Sequence, residues 1–235
     1  MGKGLEKAGD GIADGAKKLG SALNPFGQEG RDMHTQSTPF QLSTWQGGDK
    51  GQIRRTGWQG KSPEWGEITV ASLPHAHDNV RATEVTGGHI PTVVFESRGI
   101  QVMVTERPTL NGPTLRVGGA SVYLKRNRWG ATHRGRALHM SYGGDKYRLW
   151  AVNRREYVLM READNEDRGV TVKVKESGMA RWKRVDVSVT GRALGADIAL
   201  ALVFAGVDRS VLTRRGAVRA GLSRVFHVAA DSALG

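Results

Sequence analysis

The sequence predicts a mainly β protein: an antiparallel closed barrel of about 10–12 strands around a central hydrophobic helix, with an amphipathic segment at each terminus. Three observations carry that prediction. Short segments of alternating polarity follow one another from about residue 67, separated by glycine pairs and other tight-turn residues. After them comes an unbroken apolar run, Ile198, Ala199, Leu200, Ala201, Leu202, Val203, Phe204 and Ala205, closed by Asp197 and Asp208. Finally, a sheet of this many strands has to curl, and closure removes its exposed edges.

The chain divides into four stretches: 1–26, 27–66, 67–210 and 211–235. In the first, Leu5, Ala8, Ile12, Ala16, Leu19 and Leu23 recur at helical spacing until Asn24-Pro25-Phe26-Gly27. Five glycines inside it, each costing about 1 kcal/mol against alanine, make this face marginal alone. It is either a weak membrane-surface or partner-docking helix, or a frayed leader that packs on its own domain. Residues 27–66 read as a linker or docking arm. Trp45, Trp58 and Trp65 stand there in a polar tract, as hooks for a surface groove or as platforms for bases, hooks being favoured.

The expected strands are 67–73, 79–85, 91–97, 100–106, 115–126 (broken by Gly118-Gly119), 136–142, 146–152, 155–162, 169–176 and 183–190. Val170, Val172 and Val174 share one face, as do Val185, Val187 and Val189. The stretch 194–208 has alanines, a flanking Gly195-Ala196 and no turn residue inside its apolar run, which favours helix over strand. Apolar on every side, it has no wet face and needs protein around most of its circumference. Ile198, Leu200, Leu202, Val203 and Phe204 are its expected core side chains. A barrel of this size has a lumen too wide for side chains alone, and such a helix is a plug of the right size. A charge at Leu200 or Leu202 should prevent folding. The helix is too short to span a bilayer, which takes about 17–25 apolar residues. Residues 211–229 form a second amphipathic segment with Arg209, Arg214, Arg215, Arg219 and Arg224 mostly on its polar side. It is a membrane- or nucleic-acid-facing helix, or an element laid over the barrel mouth.

A strand-rich domain ending in a short, wholly apolar helix bounded by Asp resembles the tubby-like superfamily, in particular its phospholipid scramblase and LURP-one-related branches. The stretches that carry the likeness are GDKYRLWAVNRREYVLMRE (144–162) and DIALALVFAGVD (197–208), and it covers roughly 67–210. The resemblance implies a twelve-strand barrel enclosing a hydrophobic helix. Tubby members bind phosphoinositides and some regulate transcription, while scramblase-type members associate with membranes. No lipid-contacting residue carries over, and no calcium-binding segment is apparent near the helix. The competing architecture is a smaller or split barrel with 194–208 packed outside one mouth.

Thirty-five Lys and Arg against 23 Asp and Glu give a net charge of +12, which fits nucleic acid, acidic lipid or an acidic protein. The tract 123–162 is densest, with ten positive charges against Asp145, Glu156 and Glu162. Lys125, Arg126, Arg128 and Trp129 at one turn and Arg154 and Arg155 at another would form an anion- or lipid-binding patch if both turns share an end of the barrel, with Arg215 and Arg219 as further candidates. The bland alternative is a solvated arginine-rich surface. His75, His77, Asp78 and His89 are the only histidine cluster, but their order departs from metallo-hydrolase patterns and the stretch reads as a loop, so no metal is assigned. No G-x-S-x-G elbow and no phosphate-binding GxxxxGK[ST] loop occur, and neither catalysis nor a cofactor is expected. The absence of cysteine fits a reducing, cytoplasmic location, peripheral to a membrane at most, and no secretory signal is evident.

The expected function is therefore a non-catalytic module that binds an anionic phospholipid surface or a protein partner through the basic barrel surface. Its first alternative is a structural or assembly component of a bacterial or phage complex, as a homo- or hetero-oligomer. Arg outnumbers Lys 24 to 11, a composition typical of high-GC genes. Non-specific nucleic-acid binding ranks behind both.

Overall fold

The computed structural model describes residues 38–48, 55–73, 79–99, 107–126, 135–165, 167–179 and 182–213. They form one 13-stranded antiparallel sheet. Its strands are β1 (Phe40–Gly47), β2 (Arg55–Ser62), β3 (Gly66–Leu73), β4 (Val80–Gly87), β5 (Val93–Arg98), β6 (Pro113–Val117), β7 (Ala120–Ser121), β8 (Tyr123–Arg126), β9 (Leu138–Tyr142), β10 (Asp145–Ala151), β11 (Glu156–Arg161), β12 (Val170–Ser177) and β13 (Arg184–Gly191). Neighbours in sequence pair from β1 to β7 and from β8 to β13, and β1 pairs with β13. The two strands left at the sheet's ends, β7 and β8, are consecutive in the chain with only Val122 between them. Val122 N–H donates to the Leu115 carbonyl of β6 at 2.9 Å, while β8 pairs with β9. The sheet thus curls until its ends meet, a nearly closed barrel.

The helix α1 (Gly195–Val203), extended by a 3₁₀ turn (Phe204–Gly206), fills the interior. It touches β4 and β5 on one side and β11 and β12 on the other, and every residue from Ala196 to Ala205 is buried. Leu200 and Leu202 have no exposed surface, so the helix lies within the sheet and not outside one mouth. Val70, Val85, Val93, Leu149, Leu159, Val172 and Val185 make the surrounding wall. Phe95 and Phe204 meet edge to face, ring centroids 5.6 Å apart. At Gly195 the start of the helix runs close to the turn between β4 and β5: a Cβ there would lie 2.8 Å from the His89 carbonyl.

Charged groups hold both ends of α1. At its start Asp197, fully buried, accepts the Leu194 N–H at 2.8 Å and the Arg161 Nε at 3.2 Å. Arg161 also reaches Asp167 at 2.9 Å and the Arg192 carbonyl at 3.0 Å. At the other end Tyr157 donates its hydroxyl to the Ala201 carbonyl at 2.7 Å. Arg209 folds back to donate to the Phe204 and Val207 carbonyls, stacks 4.2 Å above the Tyr157 ring and pairs with Glu176 at 2.6 Å. These donors satisfy carbonyls that a helix terminus leaves unpaired.

The barrel starts earlier than the sequence predicts. Residues 40–47 and 55–62, expected as part of a linker or docking arm, are β1 and β2, and β1 closes the meander onto β13. Trp58 and Trp65 are core residues, 4% and 3% exposed, not docking hooks, and Trp45 is half-buried. The signal was hidden because, apart from Trp58, the inward positions of β1 and β2 beyond Leu42 are Thr44, Gln46 and Thr56, which leave little apolar alternation to read. Arg209 is likewise an internal cation rather than a surface one. The expected strand 100–106, the segment 1–26, His75, His77, Asp78 and the chain beyond Thr213 lie outside the described residues.

Candidate functional site

Because the sheet is a meander, its connections alternate between two ends of the barrel. The end where α1 finishes carries the connections 48–54, 74–79, 99–112, 127–137, 152–155 and 178–183. The opposite end carries mostly tighter ones, at 63–65, 88–92, 118–119, 143–144 and 162–169.

Two of the expected cation pairs come together at the end where α1 finishes. Register places Arg126 opposite Leu138, and Leu138 opposite Leu149, so the end of β8 and the turn after β10 share the α1-exit end. Lys125 is exposed, and Arg126 is half-buried with Nη2 3.3 Å from the Asn111 side-chain oxygen. Arg154 and Arg155 are exposed on the four-residue turn 152–155, shaped by Asn153, whose side chain accepts the Arg155 N–H at 2.8 Å. Arg128, Trp129, Arg215 and Arg219 lie outside the described residues.

Beside Arg154 and Arg155 stands a feature that the basic-tract reading missed. Met179 and Trp182 are each 79% exposed on the connection 178–183, and Val152 is 45% exposed on the neighbouring turn. The two connections are adjacent: the Glu176 N–H donates to the Arg155 carbonyl at 2.7 Å, and the Trp182 N–H closes its own turn on the Met179 carbonyl at 3.0 Å. Lys183 and Arg184 follow Trp182 directly, both exposed, and the Lys183 carbonyl accepts the Thr44 N–H of β1 at 3.3 Å. An apolar tip of Val152, Met179 and Trp182 is thus flanked by Arg154, Arg155, Lys183 and Arg184. Arg184 approaches Asp186 at 3.8 Å, and Lys173, lower on β12, pairs with Glu156 at 2.8 Å. That second pair holds the Glu156 carboxyl below its usual range, Lys173 being the main cause.

The signal was present in the sequence. Between two strands that alternate cleanly, a Met and a Trp occupy a turn with cations around them and no apolar position to pack against. Chemically, the arrangement offers an indole and a thioether to an apolar phase and four cations to anions lying just outside it. Among the described residues no group of three or more His, Asp or Glu has metal-binding spacing, and no helix is long and apolar enough to cross a membrane. Compared with known proteins, the chain matches no family model, no curated protein and no solved structure.

Proposed function

We propose that the chain is a non-catalytic binding module that docks on an anionic membrane surface with the α1-exit end of its barrel. The observation that carries this reading is the tip of Met179, Trp182 and Val152, exposed 79%, 79% and 45%, among Arg154, Arg155, Lys183 and Arg184. A large apolar side chain left in water gains by entering the headgroup region, where tryptophan's amphipathic ring suits the boundary. Each Lys or Arg near an anionic leaflet adds about 1 kcal/mol, so four together supply useful affinity without any fitted headgroup pocket. Shallow docking of this kind needs no membrane-spanning helix.

The resemblance to tubby-like barrels is in line with the same reading. An antiparallel barrel around one apolar helix is the architecture that the resemblance implies. Taking β7 and β8 as two halves of one run bent at Val122 brings the 13 strands to that family's twelve staves. Scramblase-type members of the family associate with membranes, which agrees with the exposed tip.

Co-sedimentation with vesicles tests the proposal. The full chain should pellet with phosphatidylcholine vesicles containing about a third phosphatidylserine, should ignore pure phosphatidylcholine, and should be released as salt shortens the Debye length. Trp182→Ala should weaken binding severalfold, and Arg154→Ala with Arg155→Ala about tenfold or more, with thermal unfolding unchanged because all three residues are exposed. A chain that ignores anionic vesicles at low salt overturns the reading. So does binding indifferent to Trp182 that DNA of matched charge reproduces, which would assign the patch to non-specific nucleic-acid contact.

A further inference from the structure

Cysteine is absent, so methionine carries all the sulfur of the chain, six residues in total. Three of them stand among the described residues, in three different settings. Met140 on β9 belongs to the core, 3% exposed, and Met160 on β11 is half-buried. Met179 is 79% exposed, in the connection 178–183 at the apolar tip. Of the three thioethers it is the one most open to a dissolved oxidant.

The backbone presents Met179 beside the indole of the tip. Trp182 N–H donates to the Met179 carbonyl at 3.0 Å, closing a turn that keeps the two Cα atoms within about 7 Å. Gly178, at φ +82°, comes just before, and a Cβ there would overlap the Trp182 carbonyl. A glycine is therefore needed for the chain to close on itself at this point. The thioether and the indole leave the fold from adjacent points, with Val152 on the neighbouring turn as the third and smallest apolar group. Changing either large side chain removes much of the tip's apolar surface and leaves Arg154, Arg155, Lys183 and Arg184 untouched.

We infer that Met179 is an oxidation site at which a peroxide releases the module from the membrane, an inference that rests on the docking proposed above. The sulfur lone pair attacks one peroxide oxygen: an S–O bond forms, the O–O bond breaks, the sulfur is oxidised and the peroxide reduced. With hydrogen peroxide, the departing hydroxide takes the proton of the transferred hydroxyl, leaving the sulfoxide and one water. A flexible apolar side chain has become a polar one. Its new oxygen has to stay hydrated, which opposes entry into an apolar phase. Net charge does not change, so the residual binding is mainly electrostatic and is lost at lower salt. Methionine sulfoxide reductases reverse the step, one for each sulfoxide epimer, with a dithiol oxidised to its disulfide as the oxygen leaves in water.

The test treats the full chain with dilute hydrogen peroxide, follows each methionine by peptide mass spectrometry and measures co-sedimentation with the phosphatidylcholine–phosphatidylserine vesicles. Met179 should gain its oxygen well before Met140. Vesicle affinity should fall about fivefold in step with it, with thermal unfolding unchanged because the side chain is exposed. Met179→Leu, apolar and free of sulfur, should bind like the native chain before and after peroxide. Met179→Gln, polar and of similar length, should bind as weakly as the oxidised chain without any peroxide. The reductases with dithiothreitol should restore the oxidised native chain. Undiminished affinity once Met179 is fully oxidised overturns the inference. So does an equal peroxide loss in Met179→Leu, which places the sensitive group elsewhere, and in both cases the membrane reading stands. An untreated chain that ignores anionic vesicles overturns that reading, and the switch falls with it.

Discussion

Asp197 sits at the third position of α1 with its carboxylate between the helix's own N-terminal N–H groups and the Arg161 guanidinium. Burial pushes its pKa up to about 6; Arg161, the Leu194 N–H and Tyr147 pull it down, and Asp145 adds a small upward push. Burial also works against the charge on Arg161, but Asp197 and Asp167 outweigh it and raise its pKa. The folded value for Asp197 lies above the 3.8 of the unfolded chain, so folding takes up a proton between the two. The contribution is fully present below the unfolded value and is lost as pH rises through the folded one. Asp197→Asn cannot titrate and lacks that slope. The stability advantage of the native chain over this variant, measured by urea unfolding, should therefore narrow as pH rises from 3.8 to about 6. An advantage that widens instead would mean that Arg161 outweighs burial and holds the carboxyl below its ordinary value. Asp197 was legible as the residue that closes an apolar run. Its ion-pair partner was not, because Arg161 comes from β11, 36 positions earlier in the chain, and is itself held by Asp167 in the following turn.

At the scale of the element, the central helix is stabilised by its wall and terminated by two side chains that no local pattern reveals. Tyr157 on β11 and Arg209 beyond the helix supply the donors for the last carbonyls, and burial pushes the Tyr157 hydroxyl well above its usual range against the pull of Arg209. The hydroxyl therefore stays protonated and keeps its donor role at any ordinary pH. Tyr157→Phe keeps the ring under the Arg209 guanidinium but leaves the Ala201 carbonyl buried without that donor, at a cost of about 1–3 kcal/mol in chemical denaturation. A cost near zero would mean that the carbonyl finds another partner. The helix itself was plain in the sequence, because an all-apolar run with no wet face has few ways to exist in water. Strands with strict alternation were equally plain: Val170, Val172 and Val174 face the core as expected, and so do Val185 and Val187. Alternation failed as a guide where one face lines a polar mouth, and that is why β1 and β2 went unread.

On the scale of the whole molecule, closure depends on the strands that looked least like strands. Among the described strands, β1 is the one whose pairing joins the run β2–β7 to the run β8–β13, with β2 on one side and β13 on the other. Removing residues 1–66 therefore does more than strip a docking arm. It takes away two staves, exposes the edges of β3 and β13 and opens Val70 and Val187 to water, an arrangement prone to pair with other chains. Such a deletion should abolish cooperative thermal unfolding and give aggregates. Deleting only 1–37 removes no described strand and should keep a single sharp transition. Circular dichroism melts of the two truncations decide the matter: a cooperative melt in the shorter chain, 67–235, would show that the barrel closes without β1 and β2. The comparison also bears on assembly assays, because oligomers altered by cutting at residue 66 would report a broken barrel and not a lost contact surface.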